Sequence, residues 1–120
     1  MNFQRTSTVI GRSYENLVQS KNPHFQGKKK FTEVGLDADF HYIENEILYV
    51  IECKAYNQKR TDCIKKAIAN AFCIKQEAPD CKFILYLGAT PTPKTAGDKM
   101  LKAALQAGVL DRVEILPYEK

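Results

Sequence analysis

The run Ile47-Leu48-Tyr49-Val50-Ile51 constrains the fold more than any other stretch of the chain. A strand with one wet face alternates apolar and polar side chains, whereas an unbroken apolar run suits a strand covered on both faces. The run falls far short of the roughly 20 residues that a membrane-spanning helix needs. It therefore predicts a central strand with helices packed on each side. Its apolar character stops at Glu52-Cys53-Lys54, so the predicted strand, about 47–54, ends in charge.

The flanking patterns complete an α/β reading. Ile10, Tyr14, Leu17 and Val18 mark one apolar face of a helix over about 7–20, with Ser7 or Thr8 as its N-cap and Pro23 as its stop. A basic, turn-rich stretch leads into a short strand at 31–34. A strand at about 38–43 then meets the central one through Glu44-Asn45-Glu46. A second helix over about 61–78, capped by Thr61 and ended by Pro79, carries Ile64, Ala67, Ile68, Ala71 and Phe72 as its stripe. Lys82 to Leu87 reads as another buried strand. Thr95 and Asp98 resemble a capping box at the start of a third helix bearing Met100, Leu101, Ala104 and Leu105, which Gly108 ends. A last strand covers 113–116. The predicted order is α-β-β-β-α-β-α-β, a mixed β-sheet flanked by helices.

No repeat or linker divides residues 1–120, so a single domain is expected. At 120 residues, 44% hydrophobic and 27% charged, the chain can bury a core without disulfides or metal staples. The net charge of +4 is compatible with a polyanion partner without requiring one. The four cysteines, at 53, 63, 73 and 81, form no C-x2-C pair, which argues against a zinc knuckle. The first residues lack the apolar core of a signal peptide, and a cytoplasmic protein with no membrane contact is expected.

The chemistry concentrates where the central strand ends. With Asn45-Glu46 as a two-residue turn, Glu44 pairs with Ile47, Asp39 falls opposite Glu52, and Asp37 falls opposite Lys54. Directly opposed side chains of an antiparallel pair share a face about 5 Å apart. Alternation also sends Glu52 and Lys54 to one side. Opposed carboxylates raise one another's pKa unless a cation lies between them. Oxygen ligands at this spacing suit Mg²⁺, and Lys54 beside them could hold a water or stabilise charge on a phosphoryl oxygen. The implied chemistry is metal-assisted phosphodiester hydrolysis. The plain structural alternative is a solvated salt bridge between Lys54 and Asp37. Asp80-Cys81-Lys82 repeats the acid-x-Lys pattern, but it follows a helix stop and no acidic strand precedes it.

The combination of Asp39, the turn, a buried strand ending in Glu52-Cys53-Lys54 and a preceding helix with Glu15 resembles the PD-(D/E)XK nuclease superfamily over essentially the whole chain. That resemblance implies a restriction-endonuclease-like core. It makes Asp39 and Glu52 metal ligands, the main-chain carbonyl of Cys53 a further ligand, Lys54 the residue that positions or activates water, and Glu15 the acidic residue of the first helix. Mg²⁺ would be the cofactor, with Mn²⁺ able to substitute. The motif's Pro-Asp is Ala38-Asp39 here, and Asp37 is held in reserve as a ligand. The layout after residue 83 is similar to methyl-directed restriction endonucleases. Archaeal Holliday-junction resolvases share the core but carry a serine/glycine-rich segment not evident here.

The expected activity is that of a Mg²⁺-dependent DNA endonuclease leaving 5′-phosphate ends. The alternatives are a structure-specific nuclease for junctions or flaps, and a non-catalytic DNA-binding or assembly module. Lys28, Lys29 and Lys30, together with Lys59 and Arg60, are the candidate phosphate contacts. A core of this size leaves little for base reading, so a homodimer or a recognition subunit is expected beside the DNA. His41 shares a strand face with Asp39, although hydrogen bonding or packing explains it better. Tyr14, Tyr42 and Tyr56 suit either base contact or the core.

Overall fold

The computed structural model describes residues 7–56 and 61–118. In chain order the elements are α1 (Ser7–Lys21), β1 (Lys29–Phe31), β2 (Leu36–Ala38), β3 (Phe40–Glu44), β4 (Ile47–Lys54), α2 (Asp62–Glu77), β5 (Lys82–Leu87), α3 (Ala96–Gln106) and β6 (Arg112–Ile115). A four-stranded sheet runs β3-β4-β5-β6, with β3 antiparallel to β4 and the other pairs parallel. The apolar run thus occupies β4, an inner strand.

Alternation along β4 and β5 sorts the core into two layers. Val50, Phe83, Leu85 and Leu87 pack with Ile64, Ala67, Ala71 and Ile74 of α2 and with Leu101 and Ala104 of α3. Ile51, Cys53, Ile84 and Tyr86 pack with Tyr14 and Val18 of α1 and with Phe25, Phe40 and Tyr42. A strand sandwiched this way has no wet face, which is why its sequence shows no polar alternation.

The turn register is as expected. Glu44 pairs with Ile47 and Phe40 with Ile51, and the reversal places Asn45 and Glu46 at φ of 53° and 67°. Both residues therefore adopt the left-handed conformation of a two-residue hairpin turn.

Upstream the structure departs from the expected meander. The strand placed at 31–34 is instead half of a separate two-stranded ribbon in which Lys29, Lys30 and Phe31 pair with Ala38, Asp37 and Leu36. Gly35, at φ 69°, supplies the reversal that folds 29–31 back on 36–38. The order gains one strand, and Asp39 becomes the bend between ribbon and sheet.

Smaller expectations divide. Phe72 is half exposed and Ile68 only partly buried, so the inward stripe of α2 is Ile64, Ala67, Ala71 and Ile74. Thr61 stands at the N-cap of α2 with helical φ and ψ and makes no side-chain cap. Thr95 does cap α3, accepting the Asp98 N–H, while Asp98 accepts the Lys94 N–H. Gly108, at φ 76°, follows its end. The proposed cap by Ser7 or Thr8 concerns side chains outside the described residues. All four cysteines are free thiols, with Cys53 and Cys81 buried.

Candidate active site

The charged end of β4 lies against α2. Glu52 is 5% exposed and is the one buried charged side chain among the described residues. It shares the α2 side of the strand with Val50. The Asn70 amide of α2 donates to its Oε2 at 3.2 Å. Asp39 reaches the same place from the bend before β3, where its Oδ2 accepts the Cys53 N–H at 2.7 Å. The backbone ladder of β3 with β4 ends at Phe40–Ile51, and the Asp39 side chain takes over the next strand N–H.

The electrostatics follow from that enclosure. Burial, then the hydrogen bond and charge of Asp39, push the Glu52 carboxyl up to about 8, while Lys54 and Asn70 pull in the other direction. Two carboxyl groups in contact, one out of water, strongly resist ionising together. Glu15 approaches from α1. Its pKa is raised by burial and then by Asp39, and Lys28, Arg12 and Lys54 oppose the rise. Asp39 and Lys54 therefore act both on Glu52, from the α2 side, and on Glu15, from the α1 side. Cys53 points its thiol into the α1-side core, where burial first and the surrounding carboxylates next push it up.

Beyond Lys54 the chain bends sharply, and the Lys54 carbonyl accepts both the Tyr56 N–H at 2.7 Å and the Gly88 N–H at 3.1 Å. The site thus lies at the C-terminal ends of two parallel strands, where side chains can face solvent without breaking the ladder. Such strand ends are where open α/β sheets bind ligands.

Other sequence-predicted residues separate into two groups. Asp37 does not reach the β4 ladder. It stands on the ribbon opposite Lys30, exposed, because the Gly35 turn pairs 36–38 with 29–31. The Asp37–Lys54 pairing is therefore absent among the described residues, and with it the salt-bridge alternative. Lys28 comes close enough to act on Glu15, Lys29 lies 5.6 Å from the Phe31 ring centroid, and Lys30 is exposed on the ribbon. Lys59 and Arg60 lie outside the described residues. His41 fastens the neighbouring loop, with Nδ1 2.9 Å from the Gly27 carbonyl. The tyrosines belong to the core: Tyr14 donates to the Leu116 carbonyl, Tyr42 stacks with Phe25 and Tyr49, and Tyr56 is buried.

Sequence reasoning missed Asn70 and Arg12. Asn70 is an amide three residues after Ala67 on the inward stripe, a polar group at the margin of an apolar face. Arg12 precedes Glu15 by three residues, one turn along α1.

The donor set fits a hard divalent cation. The side chains of the carboxyl pair offer only oxygen donors, and burial together with their mutual repulsion keeps the Glu52 carboxyl raised. Among the described residues no three His, Cys, Asp or Glu side chains are arranged so that together they could hold a metal ion. Two carboxylates suit Mg²⁺, which binds through one or two of them and keeps waters or a substrate phosphate for the rest.

Solved structures share this architecture. EndoMS in a complex with double-stranded DNA superposes with a TM-score of 0.59 at 15% identity, covering 100% of this chain and 50% of that one. A repair endonuclease from Pyrococcus abyssi gives a TM-score of 0.59 at 16% identity, covering 98% of this chain and 49% of that one. The chain has a PD-(D/E)XK-like fold. EndoMS without DNA matches similarly, with a TM-score of 0.54 at 16% identity over 99% of this chain and 49% of that one. The chain thus spans about half the length of each of these solved chains. No family model and no curated protein matches its sequence. Among the described residues no helix is long and apolar enough to cross a membrane.

Proposed function

We propose that this chain is the catalytic domain of a Mg²⁺-dependent DNA endonuclease. The observation that carries the reading is the buried Glu52 held beside Asp39 at the end of an inner strand, with Lys54 on the same strand end. A carboxyl pair of this kind opposes its own ionisation and gains stability from a divalent cation.

In this reading Asp39, Glu52 and the Cys53 carbonyl hold the ion. When bound, it neutralises the carboxylate pair and makes a water a stronger nucleophile at neutral pH. The chain's own residues do the rest. Asn70 keeps Glu52 oriented by donating to Oε2. The Cys53 N–H fixes the Asp39 carboxylate. Lys54 orients the attacking water or stabilises charge that builds on a phosphoryl oxygen. Glu15 closes the site from α1, and its carboxylate can accept a hydrogen bond from the same water. Arg12, Lys28 and Lys30 supply phosphate contacts that position the duplex without reading it; the same role given to Lys59 and Arg60 by the sequence concerns residues outside the described ones.

Duplex DNA is the favoured substrate because the EndoMS neighbour was solved on double-stranded DNA. Cutting both strands requires two sites, supplied by a homodimer or by a second nuclease subunit. The test is cleavage of supercoiled plasmid, linear duplex and a four-way junction with Mg²⁺ or EDTA, with Lys54→Ala and Asp39→Asn beside the wild type. Metal-dependent cutting that falls at least about 100-fold in both variants, with DNA binding retained, is expected. Preference for the junction would move the reading to a structure-specific nuclease. Binding without cutting, unaffected by either substitution, would leave only a DNA-binding module.

A further inference from the structure

The outer side of α2 and α3 carries a feature that the nuclease reading does not use. Alongside its inward stripe, α2 has a second apolar row, Ile68, Ala69 and Phe72, with Phe72 51% exposed. Met100, Ala103 and Ala104 of α3 face this row across a groove of about 460 Å³ whose lining is almost wholly apolar. The groove is shallow and open to solvent, so its apolar lining is accessible to a partner.

Charge identifies what fits the groove. Lys65 lines it, and Lys66 and Lys99 are exposed on the same two helices. None of the three has an ion-pair partner among the described residues. By contrast, Asp98 is engaged by Lys102 at 3.1 Å and by the Lys94 N–H. Asp62, in the first turn of α2, is the acidic group on these helices left to oppose them at this end. An apolar floor under a cationic rim complements a segment with apolar anchors and carboxylate flanks. A nucleic acid meets the rim but leaves Ile68, Phe72 and Met100 without a counterpart. A second copy on a two-fold axis meets the floor but brings Lys65, Lys66 and Lys99 toward their own equivalents.

We propose that the α2–α3 groove docks an acidic amphipathic helix of a protein partner. Its apolar residues, spaced i, i+3, i+4 and i+7, pack between Ile68 and Met100 and continue along the α2 row to Phe72, and its carboxylates meet Lys65, Lys66 and Lys99. The groove belongs to the outer layer of the fold, so docking there leaves the strand-end site open.

The test uses a fluorescein-labelled helical peptide with leucines at that spacing and glutamates on both flanks. Its control is the same peptide with lysines in place of the glutamates. Anisotropy titration against the whole chain is expected to show binding of the acidic peptide and at least about tenfold weaker binding of the control. Phe72→Ser and Lys65→Glu, each checked for native circular dichroism, are each expected to weaken the acidic peptide about tenfold without changing DNA binding. Equal affinity for both peptides, or no binding of either, overturns the proposal. So does sedimentation showing a dimer that Phe72→Ser dissociates, because a second copy then fills the groove.

Discussion

Glu52 is the residue on which the energetics of the site turn. Its carboxyl is raised by burial and by Asp39, so the folded state holds a proton that the unfolded chain releases near the ordinary carboxylate value. Between that value and about 8 the unfolded state binds fewer protons, and stability falls as pH rises. Without divalent metal, urea midpoints are therefore expected to drop from pH 5 to pH 8, and Glu52→Gln is expected to flatten that slope. Parallel curves for the two proteins would show that the carboxyl pair is not strained. Added Mg²⁺ should raise the wild-type midpoint at pH 8 and leave Glu52→Gln nearly unmoved, a readout independent of cleavage. The acid-x-Lys pattern and the opposed Asp39 were legible because strand pairing is arithmetic once a turn is placed. Asn70 was not, since an amide at the margin of a helix stripe reads the same whether it meets water or a buried carboxylate.

At the scale of elements, the β3–β4 turn holds two non-glycine residues at positive φ, Asn45 and Glu46. Asn tolerates that region and Glu does so poorly. Glu46→Gly should raise stability by about 1 kcal/mol, visible as a higher urea midpoint with unchanged slope. Asp111 makes a different kind of junction. It accepts the Phe83 N–H at 2.7 Å and binds Lys75 at 2.6 Å, tying the start of β5 to α2. Asp111→Ala should cost about 1–3 kcal/mol because the Phe83 N–H loses its partner. Lys82→Ala should cost little, since that lysine is half exposed and 3.9 Å from Asp111. Neither role was visible in the chain: Asp111 lies in a loop, and its partners are 28 and 36 residues away. Phe72 marks the converse failure. Its spacing fits both the inward row and the outer one, and only the position of α3 decides which row is covered.

For the whole molecule, the positive excess is spread over lysines that do different work. Lys28 acts at the carboxylate site, Lys75 and Lys102 neutralise acids of the scaffold, and Lys65, Lys66 and Lys99 accompany the groove. Net charge alone therefore overstates what is available to DNA. Lys28→Ala should lower the slope of log affinity for duplex against log salt by about one. Lys75→Ala should leave that slope unchanged while lowering stability. Equal slopes for Lys28→Ala and the wild type would remove Lys28 from the phosphate contacts.

By itself the sequence determined the covered strand, its antiparallel neighbour, the register that sets Asp39 against Glu52, and the helices on both sides. Each of these rests on local periodicity or on a turn that fixes pairing by counting. Tertiary structure alone decided that residues 29–38 leave the sheet as a ribbon, which removes Asp37 from the site. It also decided that Asn70 meets Glu52, that the tyrosines fill the core, and that the second face of α2 stays uncovered. Those outcomes depend on which surfaces approach across the sheet, and residues far apart in the chain carry no local signal of their meeting.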